Sequence, residues 1–382
     1  MSRFTLIETS SALRDFLELA RPAERIMLDT EFIREKTYYP KLCLIQLAAD
    51  EHIACIDPLK VDDLQLLWDF LAEPTRTKVF HAGRQDMEII RQAGDLLPMP
   101  VFDTQVAAAL CGYGDQVGYA NLVKEILGIE LDKSMTRTDW STRPLSMDAL
   151  DYAADDVRYL GEVERHLRER LEELNRLHWL EPEMASLTDP ATYEVDPSNA
   201  WRRIRGARRL KPKQVSVLQA LAAWREEEAM KRDRPRKWIL KDDAMVFMAQ
   251  RPPNSIAAIA AVRGIEDRFV ERNGEALLQL IESAKDREPP ADLPVDKERL
   301  SPTQDAQVDV LMGVLRNAAA EAELSPASLG TRKDLERLVR GETSLDILKG
   351  WRRAAVGDLL LEVLSGKVGL RCRENGLVIE QE

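Results

Sequence analysis

The chain has 382 residues, 45% of them hydrophobic, and carries a net charge of −12. That length supports two or three domains with separate cores, and the acidic balance alone does not favour nucleic acid as a partner. Three further absences give the expectation of a cytoplasmic protein: no apolar run nears the roughly 18 residues of a membrane span, the opening MSRFTLIETSSALRDF does not read as a signal peptide, and the cysteines at 43, 55, 111 and 372 show neither zinc nor disulfide spacing.

The first half alternates strand and helix patterns. Predicted strands are RIMLDTEF (25–32), LCLIQLAA (42–49), HIACIDP (52–58), KVFHA (78–82) and PVFDT (100–104). Helical periodicity covers 64–71, 86–93, 105–110 and 120–127, and one long helix is expected over about 146–177, capped by Ser146 and Asp148. The first three strands follow one another closely, as in an antiparallel meander. The later ones alternate with helices, as in parallel additions. The expected fold is α/β: a mixed five-stranded sheet flanked by helices over 1–180.

Residues 181–204 hold three prolines in EPEMASLTDPATYEVDPSNA and read as a linker. Beyond them the chain reads as helical throughout. LKPKQ (210–214) recurs as LSPTQ (300–304), and WILKDDAMVFMA (238–249) aligns with LGTRKDLERLVR (329–340). Two copies of one small all-α domain are therefore expected, over 205–288 and 297–371, split near REPPADLPVD. The two differ in charge. Residues 201–240 carry 13 Lys/Arg against 4 Asp/Glu, a local +9. Residues 301–340 carry 5 against 6, a net of −1. A polyanion would meet the first copy. Arg234, Arg236, Lys237 and Trp238 are the candidate contacts to such a polyanion, with arginines for phosphate and an exposed indole for stacking on a base if it is a nucleic acid. The alternative for Trp238 is core packing. The second copy is a poor candidate for direct phosphate binding and is expected to close a ring of domains or restrict access.

The chemistry sits in the first half. In MLDTEF, Asp29 and Glu31 are two apart on a predicted strand, so both carboxylates leave the same face. Like charges there need a cation between them, and Mg²⁺ or Mn²⁺ takes carboxylate oxygens. Asp86 in VFHAGRQDMEII lies where a strand turns into a helix, near the carboxyl end of the sheet; the alternative is simple pairing with the helix dipole. Tyr152 and Asp156 in DYAADDVRYL are four apart, on one helix face, with Asp155 turned to solvent. Alone, either segment has an ordinary structural reading.

Together, D-x-E on a first strand, D at a strand–helix turn and Y-x-x-x-D on a late helix resemble the DEDD exonuclease superfamily, in its tyrosine branch. LDTEF, LCLIQLA, FHAGRQD, FDTQ, YAADDVRYL and WRRIRGARRLKP resemble the bacterial ribonuclease D family over essentially the whole chain. That resemblance implies an RNase H-like exonuclease domain followed by two HRDC-like domains. It implies a 3′→5′ exoribonuclease acting on RNA such as tRNA precursors, using two divalent metal ions, Mg²⁺ or Mn²⁺. Asp29 would bridge both ions, Glu31 and Asp156 would bind the one that activates water, Asp86 would serve the other, and Tyr152 would orient the water. Lys133, Arg143 and Gln46 are further candidate substrate contacts; surface charge for the first two and a buried hydrogen bond for Gln46 are the plain alternatives. Asp103 is expected to cap a helix and His81 to be a packed turn residue. A monomer is the default. The competing functions are a DNA exonuclease with the same carboxylates and a non-catalytic RNA-binding protein, which would have no use for clustered acids.

Overall fold

The computed structural model describes residues 4–132, 138–290, 293, 299–373 and 376–381. The chain forms two compact units. One takes the described residues of Met1–Phe32, Leu42–Tyr193 and Leu300–Glu382; the other takes those of Ile33–Lys41 and Glu194–Arg299.

The first unit is built on a sheet of six strands, not five. Strand β1 (Thr5–Ile7) leads into α1 (Ser10–Ala20), and β2 (Arg25–Ile33), β3 (Lys41–Ala49) and β4 (His52–Ile56) follow. Helix α2 (Gln65–Ala72), β5 (Thr77–Phe80), α3 (Arg84–Gly94), β6 (Val101–Asp103), α4 (Thr104–Leu110) and α5 (Tyr119–Leu127) complete the alternating part. Strand order is β1-β4-β3-β2-β5-β6. β3 and β4 are antiparallel, whereas β1 pairs parallel with β4, β2 with β5 and β5 with β6. The sheet is mixed, as expected. The extra strand is three residues long, too short for alternation to reveal.

Each strand has two faces, and β2 shows what they do. Ile26 and Leu28 enter the core with Leu13, Phe16 and Leu17 of α1 and Leu67, Trp68 and Leu71 of α2. Met27 points the other way; its sulfur lies 3.3 Å from the place a Cβ on Gly161 would take. Asp29 and Glu31 share the Met27 face by the period of two. That face is covered by α6 (Met147–Arg158) and α7 (Leu160–Glu173), whose Ala153, Val157, Val163 and Leu167 are fully buried.

The expected long helix over 146–177 is thus two. Ser146 caps α6 by accepting from the Ala149 N–H at 3.2 Å. At the far end, Tyr159 sends its N–H to the Val157 carbonyl instead of to Asp155. The Asp155 carbonyl takes the Tyr119 hydroxyl instead, at 3.1 Å. A side chain entering the helical ladder accounts for the break.

The segment expected as a linker is also structured. Helix α8 (Leu180–Thr188) and short 3₁₀ turns occupy it, and Met184, Leu187 and Tyr193 pack on the sheet core. The linker was inferred from its prolines, which here sit in first turns, where a missing N–H costs nothing.

In the second unit, α9 (Pro212–Arg232), α10 (Arg236–Ile239), α11 (Asp242–Gln250), α12 (Ile256–Ala260) and α13 (Asp267–Lys285) surround Trp201, Leu218, Met245, Leu277 and Ile281. Residues 33–41 belong to this unit. Tyr38 donates to Glu226 at 2.5 Å, Arg236 donates both to the same Glu226 oxygen and to the Tyr38 hydroxyl, and Asp233 accepts from the Tyr38 and Tyr39 N–H groups at 3.0 Å each.

The remainder of the first unit begins with α14 (Pro302–Glu321), α15 (Pro326–Leu329) and α16 (Arg332–Val339). Their starts fall ninety residues after those of α9, α10 and α11. Both long helices open with proline, and the Gln214 or Gln304 side chain accepts the backbone N–H of the capping residue, at 2.9 and 3.0 Å. This part is fixed by a four-layer stack: Trp179 on Trp351 with centroids 4.6 Å apart, Arg176 over the first ring and Arg352 over the second. The chain does not stay helical to its end. β7 (Val368–Arg373) and β8 (Gly376–Gln381) form an antiparallel hairpin. No described helix is long and apolar enough to cross a membrane, and the four cysteines are free thiols.

Candidate active site

Three carboxylates converge where β2 meets α6. Oxygens of Asp29, Glu31 and Asp156 all lie within 4.8 Å of one another. The strand period brings the first two together, and α6 carries the third across the same face. Burial raises the pKa of all three. Asp29 rises well above its usual 3.8 through burial, then through repulsion by Asp86, Asp156 and Glu31. Glu31 is pushed from 4.5 to about 8 by burial, then by Asp156 and Asp86. Asp156 goes from 3.8 to about 7, again by burial first and neighbouring acids second. Such a cluster is poorly stable as bare anions and well suited to a hard cation with oxygen ligands.

Asp86 stands beside this trio. It lies in the first turn of α3, is 7% exposed, and accepts the Thr30 hydroxyl at 2.5 Å. Burial moves its pKa from 3.8 to about 6 although the Thr30 bond opposes the shift. Thr30, between the two acids of β2, points to the opposite face and so reaches α3. The turn before Asp86 is strained. Ala82 has φ +59°, a left-handed conformation that few alanines adopt. Asp103 holds it there, accepting the Ala82 and Gly83 N–H groups at 3.1 and 2.8 Å. The same carboxylate caps α4 through Gln105 and Val106. Gly83 is required: a Cβ there would sit 2.5 Å from the Phe80 Cβ.

Tyr152 lies one helical turn before Asp156. Burial lifts its phenol to about 12, with Asp156, Glu31 and Asp29 adding in that order. Its ring faces Trp140, with centroids 6.4 Å apart and planes tilted by 30°. Tyr119 is part-buried close by. Burial and then Asp156 raise its pKa well above 10. His81 is a turn residue, with ring nitrogens 2.9 Å from the Thr104 hydroxyl and 3.0 Å from the Val117 carbonyl.

Three candidate substrate contacts change character. Gln46 has no exposed surface and makes no hydrogen bond among the described residues. It is paired with Cys55 across β3 and β4, on the face covered by α6, and RNA cannot reach it. Arg143 is spent on the fold. It holds Asp57 through two nitrogens at 2.5 and 2.8 Å and binds the carbonyls of Cys43, Trp140 and Thr142. Arg236 is committed to Glu226 and lies 4.5 Å over the Tyr38 ring. Lys133 lies outside the described residues. Arg234 and Lys237 are exposed, and Trp238 keeps 60% of its surface in solvent, against the core-packing alternative.

Sequence reasoning missed Thr30, Tyr119 and Trp140. Strand alternation alone signals Thr30. The other two act from loops and helices whose partners are distant in sequence.

A mixed sheet with acids on one strand, a strand–helix turn and a crossing helix defines a 3′→5′ exonuclease, and residues 4–172 match the 3′–5′ exonuclease family. Residues 214–281 match the HRDC domain. The chain is 40% identical over 378 residues to ribonuclease D of Granulibacter bethesdensis, covering 97% of this chain and 95% of that one. It is 36% identical over 370 residues to ribonuclease D of Bartonella henselae, covering 95% and 91%. The crystal structure of Escherichia coli RNase D, described as an exoribonuclease involved in structured RNA processing, superposes with a TM-score of 0.83 at 32% identity, over 95% of this chain and 99% of that one. The chain belongs to the ribonuclease D family of 3′→5′ exoribonucleases.

Proposed function

We propose that this chain hydrolyses RNA from its 3′ end by two-metal-ion chemistry and trims structured RNAs such as tRNA precursors. The observation that carries the reading is the trio of carboxylate oxygens within 4.8 Å, all with raised pKa. Divalent ions bound there would supply the charge that activates water and stabilises the phosphate and the leaving 3′ oxygen. Asp29 would serve both ions, Glu31 and Asp156 one, and Asp86 the other. Thr30 and Asp103 hold Asp86 in place for that role. The Tyr152 phenol stays protonated at neutral pH, since its pKa is about 12. It therefore orients the attacking water by hydrogen bonding and does not act as the base.

RNA as substrate follows from family membership, and structured RNA from what is described for the Escherichia coli protein. In the HRDC unit, exposed Arg234 and Lys237 offer phosphate contacts, and Trp238 offers a stacking platform. The helices over 302–339 would form a second HRDC-like domain, supported by their ninety-residue offset from the first. Its charge suits a role in access to the site better than phosphate binding.

The test compares a 3′-extended tRNA transcript with a DNA oligonucleotide of equal length, both 5′-labelled, with and without Mn²⁺ or Mg²⁺. Wild type should give a metal-dependent ladder on RNA. Asp29→Ala should lose nearly all of it, and Tyr152→Phe should slow it by about 10²-fold with metal dependence unchanged. A ladder mainly on DNA would overturn the substrate, and full activity in Asp29→Ala would overturn the site.

A further inference from the structure

We infer that Trp140 is a positioning residue that sets the phenol of Tyr152 against the carboxylate trio, held for that purpose by a brace between Arg143 and Asp57. The inference rests on the reading of Tyr152 given above.

The turn carrying Trp140 has little regular structure of its own. It follows residues outside the described set and precedes α6, and within it Thr142 N–H donates to the Asp139 carbonyl at 3.1 Å. Such a turn would ordinarily be mobile. Here Arg143 fixes it from inside. One guanidinium nitrogen takes the Trp140 carbonyl at 2.7 Å, and two others take Asp57. Asp57, just after β4, is 1% exposed, and a carboxylate so buried needs its cation. Arg143 also binds the Cys43 carbonyl on β3 at 2.6 Å, so the turn is tied to two sheet strands.

The brace delivers one side chain. Trp140 is 5% exposed, and its indole faces the Tyr152 ring at 6.4 Å. Tyr152 is only partly buried, so close core packing does not enclose its ring on every side. The indole removes the rotamers that would swing the phenol away from Asp156 and Glu31. Attacking-water geometry is sensitive at the ångström level, so this restriction belongs to the rate and not to RNA affinity.

The experiment uses the full chain with saturating Mn²⁺ and a 5′-labelled single-stranded RNA. Trp140→Leu and Trp140→Phe are each made in the wild type and in Tyr152→Phe, and kcat and KM are measured. Trp140→Leu should lower kcat about tenfold with KM within about twofold, and Trp140→Phe should restore most of the loss. In the Tyr152→Phe background, Trp140→Leu should change kcat by less than about twofold, because the group it positions is gone. Losses that multiply across the two sites would overturn the inference, as would a raised KM with kcat intact, which would make Trp140 an RNA contact. If circular dichroism shows that Trp140→Leu does not fold, the same cycle with Trp140→Met, which keeps apolar volume but has no ring to face Tyr152, decides. Wild-type activity in Tyr152→Phe alone would instead refute the assigned role of that phenol, a result distinct from additivity.

Discussion

Withdrawing metal from this protein should make it less stable as pH rises, and substituting an active-site acid should repair the loss. Glu31 titrates near 8 in the folded, metal-free chain against 4.5 unfolded. The folded state therefore holds the proton more tightly. Its stabilising effect is fully present below pH 4.5 and is lost as pH climbs through 8. At about 1.4 kcal/mol per pH unit, the ceiling is roughly 5 kcal/mol. Glu31 keeps part of its surface in water, so about 3 kcal/mol is the working value. Asp156 shares the same repulsion and does not add in full. In a unit of this size the change corresponds to a fall in Tm of about 6–12 °C. The assay is thermal unfolding in EDTA at pH 5, 6.5 and 8.5, for wild type and Glu31→Gln, repeated with Mn²⁺. Other groups are removed by the comparison: His81, lowered by burial, adds stability on rising through its range, and Glu226, lowered by Arg236 and Tyr38 against burial, is already ionised throughout. Glu31→Gln should match wild type at pH 5 and exceed it at pH 8.5 without metal. Mn²⁺ should reverse that order. Parallel curves for the two proteins in EDTA would refute the electrostatic account of the site.

Two further outcomes test the assignment of individual residues. Arg236→Ala should destabilise the HRDC unit by about 2–3 kcal/mol, because Glu226, 1% exposed, would keep the Tyr38 hydroxyl but lose its paired cation, while Arg234→Ala and Lys237→Ala should leave Tm unchanged and each reduce the salt dependence of RNA binding by about one ion. Gly83→Ala should cost about 1–3 kcal/mol by forcing a Cβ onto Phe80, and should raise the Mn²⁺ concentration for half-maximal activity by displacing Asp86.

The acids of β2 and α6 that meet in the trio were legible because they sit on elements with a fixed period. Asp29 and Glu31 share a strand face, and Tyr152 and Asp156 share a helix face, whatever the rest of the chain does. The RNA-facing set was less legible. Arg143, Arg236 and Gln46 carry the residue types expected at a substrate cleft, but what a polar group does depends on its partner. The partner of Arg143 is 86 residues away and one partner of Arg236 is 198 away. The helix break at Tyr159 has the same origin, since the hydroxyl that occupies the Asp155 carbonyl comes from Tyr119. The C-terminal hairpin is a different case. Its signal was present in VGLRCRENGLVIEQ, with Asn-Gly between alternating stretches, and was overridden by its helical surroundings.

The strap at 33–41 has a consequence for how the protein is made. It leaves the exonuclease sheet after β2, joins the HRDC unit and returns as β3. Its anchors, Glu226 and Arg236, lie 188 and 198 residues downstream of Tyr38. A ribosome adding roughly 5–20 residues per second needs about 10–40 s to supply them. During that interval Tyr38 and Tyr39 extend from a nascent chain whose β2 segment has already been made. Neither unit can be cut out as one continuous gene fragment. An exonuclease fragment ending before residue 194 would carry Tyr38 and Tyr39 without their anchors, and an HRDC fragment starting at 194 would carry a buried Glu226 without Tyr38.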